Sequence, residues 1–223
     1  MIRRWRRCQG VALAILGVSA ACQFARAAET SKVMGSIEVA AGDHAGDLSS
    51  VNGSINIREN AVVGRAHAVN GSISLDAHAS AAELTSVNGS IELAHQAKVS
   101  GQVHTVNGKL RLADGAEVGG ALVNVNGAIQ VAAAHVGGGI DTVSGGIELV
   151  SAHIDRGIHV RKPDGLVSFG AEDVPHIVIG PGSVVGGTLN FERPVKLYVS
   201  DKATIGPVQG ATAVKYSGER PPD

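Results

Sequence analysis

The sequence predicts an all-β fold, a single-stranded parallel β-helix: a three-sided β-solenoid with coils of 18–19 residues. First, the string Val-Asn-Gly-Ser-Ile begins at residues 51, 69 and 87, and variants of it begin at 33, 106, 125 and 143. Second, apolar and polar residues alternate within each repeat, which is the period of a β-strand. Third, aromatic residues make up only 3% of the chain, so stacked small aliphatic side chains must form the interior.

Each repeat predicts three short strands separated by corners. In stacked coils, equivalent residues lie above one another at the usual interstrand spacing of about 4.8 Å. One aliphatic position of the repeat therefore predicts a core column, formed by Ile55, Ile73, Ile91, Leu110, Ile129 and Ile147. The alternative is a β-sandwich of hairpins, because Asn-Gly is also a hairpin turn signal, but hairpins do not require a constant repeat length.

The Asn-Gly pair of each repeat predicts a corner. Stacked asparagine side chains can hydrogen-bond along the axis of an in-register stack. We expect a corner ladder of Asn52, Asn70, Asn88, Asn107 and Asn126, followed by Gly53, Gly71, Gly89, Gly108 and Gly127. Ser144 ends this ladder. Such pairs, like Asn88-Gly89, and Gly101 at another corner supply corner residues that tolerate positive φ.

The first 27 residues have the pattern of a secretory signal peptide. Five arginines and no acidic residue accompany a short apolar run, and small residues precede a cleavage position between Ala27 and Ala28. An alternative is lipoprotein processing with anchoring at Cys22. Both cysteines lie in this segment, and the remaining residues, 14 basic and 20 acidic, carry a net charge of −6. That charge disfavours nucleic acid as a partner, and no transmembrane span is predicted for the mature chain.

The remainder divides into three parts. Residues 28–160 form the regular β-solenoid repeats. Residues 161–216 are predicted as irregular solenoid coils and a C-terminal cap, which contains the larger side chains Phe169 and Phe191. Residues 217–223 are predicted to be a disordered tail.

No catalytic, metal or cofactor site is predicted. A coil of 18 residues is three times six, which makes a hexapeptide-type acyltransferase an alternative, but the fixed small residue of that pattern is missing. His135 and His153 are one repeat apart and therefore stack, and two stacked histidines could bind a metal. They are interpreted as solvent-facing residues because no cysteine or recurring carboxylate accompanies them.

The VNGxI-type repeats of residues 33–160 resemble those of two groups of bacterial β-solenoids, the exported putative adhesins and the polymer-forming bactofilins. The resemblance implies right-handed coils and self-association or surface attachment, without catalysis. We therefore expect a non-catalytic structural or self-associating protein of the cell envelope, exported to the periplasm or the cell surface. Its expected partners are further copies bound through the solenoid ends, or an envelope protein. The alternative is an adhesin-like binding module that presents one solenoid face to a protein or glycan.

Overall fold

The computed structural model describes residues 29–163, 174–218 and 220–221. This part of the chain is an all-β solenoid of parallel strands and contains no helix. The predicted fold class is therefore confirmed. The signal-peptide segment with Cys22, Ala27 and Ala28 lies outside the described residues, as do Phe169 and part of residues 217–223.

Twenty-seven strands follow one another along the chain. They are β1 Thr30–Met34, β2 Ile37–Val39, β3 His44–Ala45, β4 Leu48–Asn52, β5 Ile55–Ile57, β6 Val62–Asn70, β7 Ile73–Leu75, β8 Ser80–Asn88, β9 Ile91–Leu93, β10 Lys98–Val99, β11 Val103–Asn107, β12 Leu110–Leu112, β13 Glu117–Val118, β14 Leu122–Asn126, β15 Ile129–Ala132, β16 His135–Val136, β17 Ile140–Thr142, β18 Ile147–Val150, β19 His153–Ile154, β20 Ile158–Val160, β21 His176–Ile179, β22 Val184–Val185, β23 Leu189–Phe191, β24 Lys196–Ser200, β25 Thr204–Ile205, β26 Val208–Gln209 and β27 Ala213–Tyr216.

Most coils contribute three strands, one to each side of the solenoid. One side is a ten-stranded sheet that starts at β2 and ends at β27. The other two sides are joined into a 17-stranded sheet, because β6 and β8 each continue from one side to the next. Every strand pair is parallel and joins equivalent positions of successive coils, as in Ile55↔Ile73 and Ile73↔Ile91.

The solenoid encloses a narrow aliphatic core. The six residues of the core column are paired in consecutive strands, and each is at most 1% exposed. Ile37 continues this column toward the N-terminus, and Ile177 and Leu197 continue it toward the C-terminus. In the regular coils the buried apolar residues are Val, Ile, Leu and Ala, without aromatic rings.

Positive φ is uncommon at the Asn-Gly corners, although their glycines would tolerate it. Among the corner glycines of the ladder, only Gly127 has positive φ, and Gly101 does not have it either. Most residues with positive φ lie instead at the corner that follows the strands of the ten-stranded sheet. Five of them are not glycine: Asn60, His78, Gln96, Ala133 and Ser151.

Close stacking of the backbones, rather than φ, requires glycine at the Asn-Gly corner. A Cβ atom added to Gly71 would lie 2.2 Å from the carbonyl oxygen of Gly53, and one added to Gly89 would lie 2.1 Å from that of Gly71. A real Cβ atom cannot approach a backbone atom so closely. Each coil therefore rests directly on the glycine of its neighbour.

A buried polar column lies inside this corner. The Ser86 hydroxyl donates to the Gly71 carbonyl at 3.0 Å, and the Thr105 hydroxyl donates to the Gly89 carbonyl at 3.1 Å. In the next coil, the Asn124 amide donates to the Gly127 carbonyl at 2.8 Å. These bonds satisfy carbonyl groups that the tight corner turns away from water.

The regular spacing ends after β20. Ile147 pairs with Ile177, thirty positions later, whereas the earlier steps along this column are 18 or 19 residues. Two further coils and the strand β27 follow. Phe191 and Tyr216 are buried in this part of the solenoid.

Candidate functional site

The corner ladder is a continuous chain of side-chain hydrogen bonds. Asn70 donates from Nδ2 to Oδ1 of Asn52, and each later asparagine of the ladder donates in the same way to the one before it, always at 3.0 Å. All donors thus point toward the N-terminal end of the solenoid. Beyond Asn126, Arg193 contacts the Val143 carbonyl at 3.0 Å and the Ser144 hydroxyl at 3.2 Å.

The N-terminal edge consists of the strands β1, β2 and β3. Each of these strands pairs with one strand only, namely β4, β5 and β6 respectively. Their outer side has no partner in the part of the chain that the structure describes. Because parallel strands bond to both sides, this edge offers backbone N–H and C=O groups to another strand.

Two apolar side chains project from this edge. Val33 is 67% exposed and Met34 is 80% exposed, more than any other large hydrophobic residue described. Met34 pairs with Asn52 and therefore stands at the end of the ladder. An apolar tip next to unpaired backbone groups is the combination that favours strand addition.

Charged side chains near the N-terminal edge are paired between coils. Arg65 donates to Asp47 from Nη2 at 2.7 Å and from Nε at 3.1 Å, and its backbone N–H also reaches this carboxylate. These bonds lower the pKa of Asp47 below its usual value. Arg58 forms two ion pairs, from Nε to Glu38 Oε1 at 2.8 Å and from Nη1 to Asp76 Oδ2 at 3.5 Å. These ion pairs link successive coils near the N-terminal edge.

The C-terminal edge is formed by β25, β26 and β27, which also have one partner each. It differs from the N-terminal edge in two ways. β26 is only two residues long, whereas β1 on the same side at the other end has five, and Pro207 between β25 and β26 has no backbone N–H to donate. Short strands and proline are features that protect sheet edges against pairing.

The histidine clusters that contain Asp155 and His159 lie on the outer surface, and sequence reasoning identified only part of the first. His135 and His153 are Cα partners in β16 and β19, as their spacing indicates. The structure adds Asp155, whose Oδ1 lies 2.9 Å from Nε2 of His135 and 3.1 Å from Nε2 of His153. The hydrogen bond from His135 is the main cause of the lowered pKa of Asp155. No signal in the repeat singles out Asp155, because its position is irregular.

The second cluster is centred on His159. Its Nε2 lies 2.8 Å from Glu192 and its Nδ1 lies 3.3 Å from Asp141. The hydrogen bond from His159 lowers the pKa of Glu192, assisted by the backbone N–H of Lys162. Because the two carboxylates contact opposite nitrogens of one ring, they cannot bind one ion together with that ring. The cluster instead ties β20 to β23.

No family model matches the chain, and the comparisons found no similar curated protein or solved structure. Within residues 29–163, 174–218 and 220–221, no helix has the length and apolar character needed to cross a membrane.

Proposed function

We propose that this chain is a non-catalytic, exported structural protein of the cell envelope that self-associates through its N-terminal edge. The observation that carries the proposal is that the outer side of β1, β2 and β3 has no strand partner among the described residues, 29–163, 174–218 and 220–221, with Val33 and Met34 exposed there. The resemblance of the repeats to exported putative adhesins and to bactofilins supports a structural role. The basic and apolar pattern of residues 1–27 supports export.

The two ends differ, which favours a head-to-head arrangement. β1 is five residues long, whereas β26, on the same side at the other end, is two residues long and directly follows Pro207. A dimer joined at the N-terminal edges would pair β1 with its copy antiparallel about a two-fold axis. Signal-peptide cleavage after Ala27 would leave Thr30, the first residue of β1, three residues from the new N-terminus.

Sedimentation velocity over a concentration series tests this proposal. We expect the mature protein to shift from monomer to dimer as its concentration rises. Val33→Lys should hold it as a monomer, because a two-fold interface would bring the two new charges together. Sedimentation as a monomer at all concentrations up to about 100 μM, well above a micromolar dissociation constant, would overturn the proposal.

Val214→Lys is the matched control. Val214 is an exposed valine, at 49%, in β27 at the opposite end of the solenoid. The same charge placed there should leave the dimer intact. If Val214→Lys abolished association and Val33→Lys did not, the C-terminal edge would be the interface.

A further inference from the structure

The surface cluster of His135, His153 and Asp155 has the composition of a metal site. Two imidazoles and one carboxylate each offer one ligand atom, and these three atoms all lie within 4.8 Å of one another. Imidazole and carboxylate ligands together suit Zn²⁺ and neighbouring divalent transition metals. All three side chains are about half exposed, so an ion can reach them from solvent.

The backbone holds the three residues in fixed positions. β16 and β19 are neighbouring strands, so the two histidines stand one interstrand spacing apart on the same side. Asp155 follows His153 by two positions and therefore faces the same side. Its backbone N–H donates to the Val136 carbonyl at 3.0 Å, which fixes it against the coil that carries His135.

Asp155 is unusual for its place in the coil. The equivalent residues before and after it are Gly137 and Gly186, whose backbone N–H groups make the same bond to the preceding coil. The carboxylate is thus bordered by two residues without side chains. The space beside it admits both imidazoles and leaves room for water on an ion.

Interatomic distances fit a bound ion. Two ligand atoms that each lie about 2.1 Å from Zn²⁺ are roughly 3.0–3.4 Å apart when their angle at the metal is between about 90° and 110°. The separations from Asp155 Oδ1 to the two Nε2 atoms are 2.9 Å and 3.1 Å. The neighbouring carboxylate of Glu117 is engaged by Lys98 at 2.9 Å, so water would complete the coordination.

We propose that His135, His153 and Asp155 form a binding site for a divalent transition-metal ion of the Zn²⁺ class. The ion takes the place of the protons that the two Nε2 atoms share with the carboxylate. Since His135 belongs to one coil and the other two ligands to the next, the ion links successive coils. An ion that binds only the folded chain also stabilises it by mass action.

Isothermal titration of untagged protein with zinc chloride tests the site. We expect one saturable site per chain, with an affinity that His153→Gln and Asp155→Asn each reduce by at least about tenfold. His95→Gln is the matched control, because His95 also has a histidine neighbour, His78, at 5.9 Å between ring centroids and a carboxylate, Asp114, at 3.4 Å. That variant should bind zinc with unchanged affinity.

A spectroscopic measurement checks the ligands directly. With Cu²⁺ in place of zinc, electron paramagnetic resonance should show two coupled imidazole nitrogens in the unaltered protein and one in His153→Gln. Absence of saturable zinc binding, or equal loss of affinity in His153→Gln and His95→Gln, would overturn the proposal. Circular dichroism of each variant separates loss of the site from loss of the fold.

Discussion

Glycine at the stacked corner is required by the neighbouring coil and not by its own conformation. Gly71 has no positive φ, yet a Cβ atom there would lie 2.2 Å from the Gly53 carbonyl oxygen. Gly42 shows the reverse situation, with φ at 76° and no atom within 4 Å of the added Cβ position. Gly71 is therefore required by steric contact with the neighbouring coil, and Gly42 by its own left-handed backbone conformation.

Gly71→Ala should therefore destabilise the protein more than Gly42→Ala. We expect the first to lower the free energy of unfolding by about 2–3 kcal/mol, because two rigid backbones must move apart. The second should cost about 1 kcal/mol, the strain of a left-handed alanine. Urea denaturation of both variants measures the difference, and equal losses would contradict the stacking argument.

Buried hydroxyl groups at one position of the coil differ in their partners. Ser86 donates to the Gly71 carbonyl at 3.0 Å, whereas the buried Ser50 hydroxyl has no partner within the described residues. Ala68 stands between them in the same column and needs none. Alanine is therefore accepted in this column of the coil where the side chain makes no hydrogen bond.

Ser86→Ala and Ser50→Ala should consequently have different effects. Loss of the Ser86 bond should lower the free energy of unfolding by about 1 kcal/mol, while removal of the unpartnered Ser50 hydroxyl should leave it unchanged or raise it. Thermal unfolding compares the two. A larger loss in Ser50→Ala than in Ser86→Ala would mean that the Ser50 hydroxyl does have a partner in solution.

For single residues, the repeat predicts which residues stack above one another better than it predicts the contacts that their side chains make. A constant step of 18–19 residues places the asparagines above one another, and the structure joins them by hydrogen bonds. The inward direction of Ser86 and Thr105 is not evident from the pattern, because polar residues normally mark the outer face of a strand. Asp155 could not be found either, since only the three-dimensional register brings it to the two histidines.

Strands of two to nine residues form the elements of this fold, and contacts between coils hold them together. Hydrogen bonds in the ladders are supplemented by ion pairs between one coil and the next. The pair of Asp47 and Arg65 joins the residue before β4 to β6 near the N-terminal edge. Such pairs make the attachment of neighbouring coils sensitive to acid.

The lowered pKa of Asp47 gives the direction of this sensitivity. A carboxylate whose folded pKa lies below its unfolded value of 3.8 stabilises the fold above that value, and the contribution is lost as pH falls through the folded pKa. We expect the melting temperature to fall below about pH 4, with a smaller fall in Asp47→Asn. Identical pH profiles of the two proteins between pH 2 and pH 7 would contradict the role of this pair.

Strand lengths were less predictable than strand positions. β6 and β8 run for nine residues across a predicted corner, whereas the next coil breaks into β10 and β11. Val99 pairs with Ala81, but Val103 pairs with Leu84, so the later coil has one more residue between the two pairs. The 19-residue step is visible in the sequence, but the corner that accommodates the extra residue is not.

The described residues form a stack in which strands pair only between successive coils. Stability in such an array is close to a sum of coil and interface contributions, so the end coils, with one neighbour each, are the weakest. Head-to-head association would give the N-terminal coil a second neighbour and bury Val33 and Met34. The proposed association through the N-terminal edge would therefore also stabilise the N-terminal coil.

Distances between spin labels test the head-to-head assembly most directly. Cys8 and Cys22 are the only cysteines and both precede the proposed cleavage after Ala27, so a single label can be placed in the mature chain by Ser31→Cys in β1 or by Ser217→Cys after β27. Ten coils of about 4.8 Å give a rod of roughly 45–50 Å. Double electron–electron resonance should find label pairs within roughly 30 Å for Ser31→Cys and near 90 Å for Ser217→Cys. A short distance at Ser217→Cys, or no dipolar interaction at Ser31→Cys, would contradict association through the N-terminal edge.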